Sequence, residues 1–173
     1  MKRLLIVALM LLTCAAAPPE KAQRTVELEA PVIEREPDPK VPGGELWKAS
    51  GGVTLTTSDV NIKADSMTVN VGKNRTMEQV QAVGGVVIKG SRKTADGIEQ
   101  RLNATCNEAT YLMSEERLLL SGNVRGTMVE VQNDRTWDLS SDKAHLWLRE
   151  DRMRLERAKV KLTEPEKPAP KQE

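Results

Sequence analysis

The chain has no phenylalanine, one tyrosine (Tyr111), three tryptophans (Trp47, Trp137 and Trp147) and one histidine, His145. A folded interior therefore has to be built from Val, Leu, Ile, Met and Ala. With no Cys or carboxylate at ligand spacing around His145, the sequence offers no metal centre, and no catalytic triad or dyad can be assembled there. Cysteine is equally scarce: only Cys14 and Cys106 occur. Charge of one sign is missing too. The formal net charge is +1 with 29% charged residues, acids and bases interspersed, so there is no field of the kind that recruits nucleic acid. Gly84, Gly85 and Gly90 match no phosphate loop or dinucleotide fingerprint, since no Gly-Lys-Ser/Thr and no helical pattern follows them. No cofactor is expected.

Only one long apolar run is present, Leu4 to Leu12, behind Lys2-Arg3 and ahead of Ala15-Ala16-Ala17. That order is the signature of an export signal, residues 1–16, with cleavage after Ala16 keeping Pro18 off the first mature position. The run is shorter than the ~20 residues a membrane-spanning helix needs. A second reading makes Cys14 a lipoprotein cysteine, against which Thr13 stands where Gly, Ala or Ser is expected. Under the first reading Cys106 is the lone thiol of the exported chain, with no internal disulfide. No base lies near it in sequence, so it reads as a small buried apolar residue. Residues 17–45 hold six of the nine prolines among charges with no sustained period, which is linker composition. Residues 163–173 have the character of a disordered tail, and the folded body is expected at 46–162.

Within that body the apolar residues recur with a period of two. Val60, Ile62 and Ala64 alternate with Asn61 and Lys63, and Val80 and Ala82 alternate with Gln79 and Gln81. Half-buried strands have this pattern, and the turn residues between the runs fall at short intervals. Around "LREDRMRLER" the apolar residues form two alternating pairs flanking a charged turn rather than a helical stripe.

Four segments align with one another: "ASGGVTL" (49–55), "AVGGVVI" (82–88), "LSGNVRG" (120–126) and "ERAKVKL" (156–162). Their valines, Val53, Val86, Val124 and Val160, are 33, 38 and 36 residues apart. Such periods mark stacked supersecondary units that cannot bury their faces alone. In the intervening blocks the inward parity slips: Ala64 is followed by Met67, Cys106 by Ala109, and Ser141 by Ala144. Side chains alternate faces strictly, so each slip requires a bulge or corner. The predicted corners are Asp65-Ser66, Asn107-Glu108 and Asp142-Lys143. The expected fold is all-β, a β-jellyroll or open coiled sandwich of repeated bent antiparallel strands. Its inner face comprises Val53, Leu55, Val60, Ile62, Met67, Val69, Val80, Val86, Ile88, Leu102, Tyr111, Leu118, Leu120, Val124, Leu139, Leu146 and Leu148. Alternation alone does not distinguish a filled core from a groove.

The stretches "GGVTL", "IKADSMTV", "AVGGVVI" and "ATYLMSEERLLLSGNV" resemble the OstA-like β-jellyroll of lipopolysaccharide transport. That family includes the soluble periplasmic transport protein, its inner-membrane-anchored partner and the periplasmic domain of the outer-membrane translocon. The resemblance covers residues 49–162 and rests on Gly84-Gly85-Val86, Gly122-Asn123-Val124 and the step Ile62, Ala64, Asp65. The last repeat departs from it, with Ala158-Lys159 in place of the glycine step. The resemblance implies a twisted jellyroll in the periplasm that holds lipopolysaccharide acyl chains against the inner-face residues named above. It also implies edge-strand pairing with other jellyroll proteins of a transport bridge, or with copies of itself. The alternative from the residues is a structural β-solenoid scaffold that binds no lipid, whose rungs would be shorter and more even than these repeats. Arg152, Arg154, Arg157, Lys159 and Lys161 read either as a solvated strand face or as contacts for lipid phosphates. No acid/base or metal constellation supports an enzyme.

Overall fold

The structure is a computed structural model that describes residues 25–94, 96–150 and 152–165. The expected export signal and the end of the expected tail lie outside these residues. The described residues contain no helix. They form β1 (Glu27–Glu29), β2 (Val32–Pro37), β3 (Glu45–Thr56), β4 (Val60–Val71), β5 (Met77–Lys93), β6 (Glu99–Leu112), β7 (Arg117–Glu130), β8 (Arg135–Trp147), β9 (Arg152–Glu156) and β10 (Lys159–Thr163). All ten belong to one antiparallel sheet in the order β1-β3-β4-β5-β6-β7-β8-β10, with β2 also on β3 and β9 also on β8.

The long strands cross a seam at which each of them loses its alternation. Gly51-Gly52 on β3 stand opposite Asp65 on β4, where the register jumps from Ser50↔Ser66 to Val53↔Ala64. Gly84-Gly85 on β5 stand opposite Asn107 on β6, between Val83↔Glu108 and Val86↔Cys106. Gly122-Asn123 on β7 stand opposite Asp142 on β8, between Ser121↔Lys143 and Val124↔Ser141. The odd strands carry two residues with positive φ at this level: Gly51 and Gly52 at 90° and 91°, Gly84 and Gly85 at 82° and 52°, Gly122 and Asn123 at 74° and 51°. Two residues against one is a bulge, and bulges bend and twist a strand. Glycine adopts positive φ without a Cβ penalty, and asparagine tolerates it better than most residues do.

The bend folds the sheet into two half-sheets that share one core. One half contains β2 and β9 and the other β1 and β10, so the edge strands are each interrupted at the seam as well. Ala30-Pro31 separate β1 from β2, and Arg157-Ala158 separate β9 from β10, with Arg157 at φ 51°. In the last repeat, Arg157 thus takes the positive-φ place that glycine or Asn123 takes elsewhere. Its guanidinium is paired with Asp142 at 2.5 Å, which holds the chain end onto the seam.

The strands run through the corner without leaving the ladder, so the expected jellyroll of bent antiparallel strands is one continuous bent sheet. One expectation needs correction. The proline-rich stretch 17–45 is not all linker, because β1 and β2 lie within it and pair with β3. The two prolines beside these strands sit where the ladder needs no amide: Pro31 in the gap at the seam and Pro37 at the end of β2. Proline is tolerated at such edge positions. Arg35 of β2 forms a bidentate pair with Glu45, at 2.9 and 2.7 Å, and lies 5.1 Å from the Trp47 ring centroid. These contacts fasten the acidic edge strand to β3. The Trp47 indole N–H and Arg35 both donate to Glu45 and hold its carboxyl below the ordinary carboxylate value.

A Cβ added at Gly84 would lie 2.9 Å from both Cβ and Cγ of Asp65 on β4, in addition to the strain of φ 82°. We expect Gly84→Ala to lower stability by about 2–3 kcal/mol, the sum of a positive-φ penalty and a close contact. Urea unfolding measures it, and Asp65→Ala in the same chain should restore part of the loss by removing the carboxyl contacts while the Cβ contact remains.

Candidate functional site

The inner face is the only extensive apolar surface that the described strands converge on. In the half-sheet with β1 and β10, Val53, Leu55, Val60, Ile62, Val86, Ile88, Val124 and Leu139 are buried and Leu102 is half-buried. In the other half, Met67, Val69, Val80, Tyr111, Leu118, Leu120 and Leu146 are buried and Leu148 is half-buried. Leu55, Ile62, Met67, Ile88 and Leu118 lose all but 2% or less of their surface. Each such side chain contributes ~1.5–3 kcal/mol on burial. All seventeen inner-face positions read from parity therefore point inward.

Side-chain size on the inner face varies with distance from the seam. Most inward positions beside the seam are small: Ala49, Ala64, Ala82, Cys106, Ala109, Ser141 and Ala144, all buried. Met67 and Leu120 are the larger exceptions. At the far end, between the tips of the half-sheets, lies an apolar cavity of about 140 Å³. One half-sheet contributes Val60, Gly90, Leu102 and Met128, and the other Leu146, Leu148 and Met153. The hollow follows from the pattern: on β5 the inward series Val86, Ile88 continues to residue 90, and that residue is glycine.

Polar groups frame the mouth. Arg92 donates to the Leu148 carbonyl at 2.9 Å and twice to Gln100 Oε1, at 3.1 and 2.7 Å. Its bond to Leu148 joins one half-sheet to the other across the opening. Gln100, itself buried, donates to Glu130 at 3.3 Å. Over the mouth, Arg152 at the start of β9 stacks 4.0 Å from the Trp147 ring centroid, with Arg117 at 5.9 Å on the same ring. Arginine on an indole face gains about 0.5–1 kcal/mol at an exposed site, so this pins β9 in place. Gly90, Arg92, Met128, Trp147 and Met153 had not been singled out as inner-face or mouth residues. Gly90 was findable by extending the β5 parity. Arg92 was not, because its partner is 56 residues away.

Several other residues bring no chemistry together. His145 is half-buried on the outer face, 5.9 Å from the Trp147 ring. No group of three or more His, Cys, Asp or Glu able to hold a metal occurs among the described residues. Arg154 and Arg157 pair with Glu156 and Asp142 on the outer surface.

A family model described as "LptA/(LptD N-terminal domain) LPS transport protein" matches residues 46–146, more than half of the chain. The chain belongs to this family. The fold is also similar to a crystal structure of LptH, described as the LptA homologous periplasmic component of the lipopolysaccharide transport device of Pseudomonas aeruginosa. The TM-score is 0.56 at 15% identity, over 82% of this chain and 96% of that one. At that identity the likeness is one of fold. No curated protein sequence matches the chain.

In this member of the LPS transport family the matched segment spans the seam and nearly all of the inner face, so the shared feature is the bent sheet and its apolar interior. Among the described residues no helix is long and apolar enough to cross a membrane. Cys106 sits on the inner side of the seam, 6% exposed, and burial pushes its thiol up to about 11 from 9.0. The unfolded thiol ionises near 9.0 while the folded one holds its proton to about 11. Stability is therefore unaffected below pH 9 and falls as the pH rises toward 11, by up to about 2–3 kcal/mol. Urea titrations of wild type and Cys106→Ala across that window should diverge by this amount. A thiol reagent at pH 8 should label Cys106 only after unfolding.

Proposed function

We propose that the protein carries lipopolysaccharide across the periplasm, holding acyl chains between its half-sheets and passing them along a row of jellyrolls joined edge to edge. The observation that carries this reading is that the apolar inner strip does not end inside the molecule. On β2, Ile33 pairs with inward Ala49 yet is 44% exposed; on β10, Val160 and Leu162 continue the inner face and are 51% and 48% exposed. An apolar strip open at both edges suits a ligand longer than one domain, and each buried methylene contributes ~0.8 kcal/mol. The inner-face residues from Val53 to Leu148 named above are the contacts.

Among the described residues no further strand covers either edge, and an open sheet edge accepts another strand through its backbone groups. Their charges differ. β1 and β2 carry Glu27, Glu29, Glu34 and Glu36 against one arginine; β9 and β10 carry Arg152, Arg154, Lys159 and Lys161 against Glu156. Opposite charges favour the first edge meeting the last edge of the next molecule, and like charges disfavour an edge meeting its own copy. The partners are thus lipopolysaccharide, further jellyrolls of the bridge and copies of this chain. The reaction is transfer without a chemical step or cofactor.

Two experiments test this. Photo-crosslinkers at inward Ile62 and Leu120 should capture lipopolysaccharide while one at outward Lys63 should not; equal labelling of all three would return the chain to a scaffold that binds no lipid. For the edges, Lys159→Glu with Lys161→Glu should abolish oligomers seen by sedimentation velocity at low salt. Glu29→Lys with Glu34→Lys in a second chain should restore mixed oligomers. Raising the salt above 0.1 M, where the screening length falls to ~10 Å, should weaken the wild-type association.

A further inference from the structure

Native interiors rarely contain voids larger than a water molecule, yet a cavity of about 140 Å³ remains over Gly90. An apolar cavity of about this size stays dry and takes up a benzene-sized apolar group. This one opens between the tips of the half-sheets, where Met153 of the short edge strand β9 covers it from one side. Across the opening runs the bond from Arg92 to the Leu148 carbonyl. We propose that the hollow over Gly90 is a binding site for the end of a single unbranched aliphatic chain, and that Arg92 is the latch which closes it. The proposal rests on the lipid-carrying reading above and assigns to it a point of entry.

Three features fit a chain end better than a bulkier group. Most of the lining is aliphatic or thioether, from Val60, Leu102, Met128, Leu146, Leu148 and Met153, so an apolar ligand gains more contact there than a polar one. The polar part of the lining comes from Asp59, Ser91, Arg92, Gln100, Arg152 and the Trp147 ring, and Arg92 and Gln100 are already hydrogen-bonded to one another. The volume is enough for a few methylenes. Shifting a closed-to-open equilibrium by removing the latch raises the competent fraction without altering the site itself.

Gly90 supplies the test, because its φ lies outside the left-handed region. A Cβ there would meet Asp59 O at 3.4 Å and Leu102 Cβ at 3.8 Å, which is ordinary contact. Gly90→Val therefore fills the hollow with a residue suited to a strand, and a urea midpoint at or above that of wild type verifies that it folds. The probe is cis-parinaric acid, a fluorescent long-chain fatty acid that brightens in apolar surroundings. Gly90→Val should weaken its binding about tenfold or more, and Arg92→Gln, which removes the bond to the Leu148 carbonyl together with those to Gln100, should speed its entry in stopped flow about tenfold or more. Displacement of the probe by lipopolysaccharide assigns the chain to that lipid, and displacement by phosphatidylglycerol vesicles assigns it to phospholipid; either supports the site. Unchanged binding by Gly90→Val, or displacement by neither lipid, overturns it. An unchanged entry rate in Arg92→Gln overturns the latch. If lipopolysaccharide still crosslinks to Ile62 and Leu120 while Gly90→Val binds the probe normally, this site fails and the transport reading stands.

Discussion

The structure depends on one geometric constraint: every strand of a single sheet must bend at the same level. A flat antiparallel sheet of this composition would have one apolar face and nothing to cover it. Folding it across the middle makes each half the cover of the other, so one sheet acts as two layers. The bend is made from bulges, and a bulge on one strand must be matched by its neighbours or the ladder breaks. Hence the alternation along the seam: a positive-φ pair on β3, β5 and β7, and Asp65, Asn107 or Asp142 on the strands between. The polar residue leans over the position where its neighbour has no Cβ. Asn107 would be 2.7 Å from a Cβ at Gly122, just as Asp65 crowds one at Gly84. Glycine there is the counterpart of a neighbouring side chain, and the two positions are coupled.

This coupling explains which features were legible in the sequence. The corners at Asp65, Asn107 and Asp142 were readable because a slip from a period of two is local, visible within a few residues. The inner face followed from the same alternation. The glycine pairs showed that something happens at these points, but only the register gives their role as the doubled side of each bulge. The edge strands β1 and β2 were hidden because prolines dominate their surroundings and they borrow their order from β3. Glu27 to Glu29 would not hold a strand alone; they hold one against Thr54 to Thr56. The closing of the mouth was hidden for a stronger reason. Arg92 and Leu148 come together only after the whole sheet has bent, and nothing in either local sequence records the other.

The distribution of side-chain size follows from the bend as well. Beside the seam the half-sheets converge and alanines prevail; midway, Leu55, Ile62, Ile88 and Leu118 fill the space; at the tips Gly90 leaves a hollow. The hollow therefore lies at the mouth, away from the hinge. Stability and access are separated along one axis, since the seam carries the strain and close packing and the tips carry few bonds between halves.

A carrier of apolar chains has to satisfy two opposed demands, because the surface that binds a lipid tail is the same surface that would collapse without it. A rigid open trough would expose far more apolar area than soluble proteins tolerate. A fully packed sandwich would leave the tail nowhere to enter. Here the two halves meet and bury their aliphatic faces, yet they are held apart at the tips by a small void and joined there by Arg92. Regions with few buried contacts open at lower free energy than the body of a fold. In this chain those regions are the mouth and the uncovered edges at Ile33, Val160 and Leu162. On the proposed reading, entry of a chain at the mouth and its continuation over the edges would require no unfolding of the seam, so the element that fixes the fold would be spared by loading.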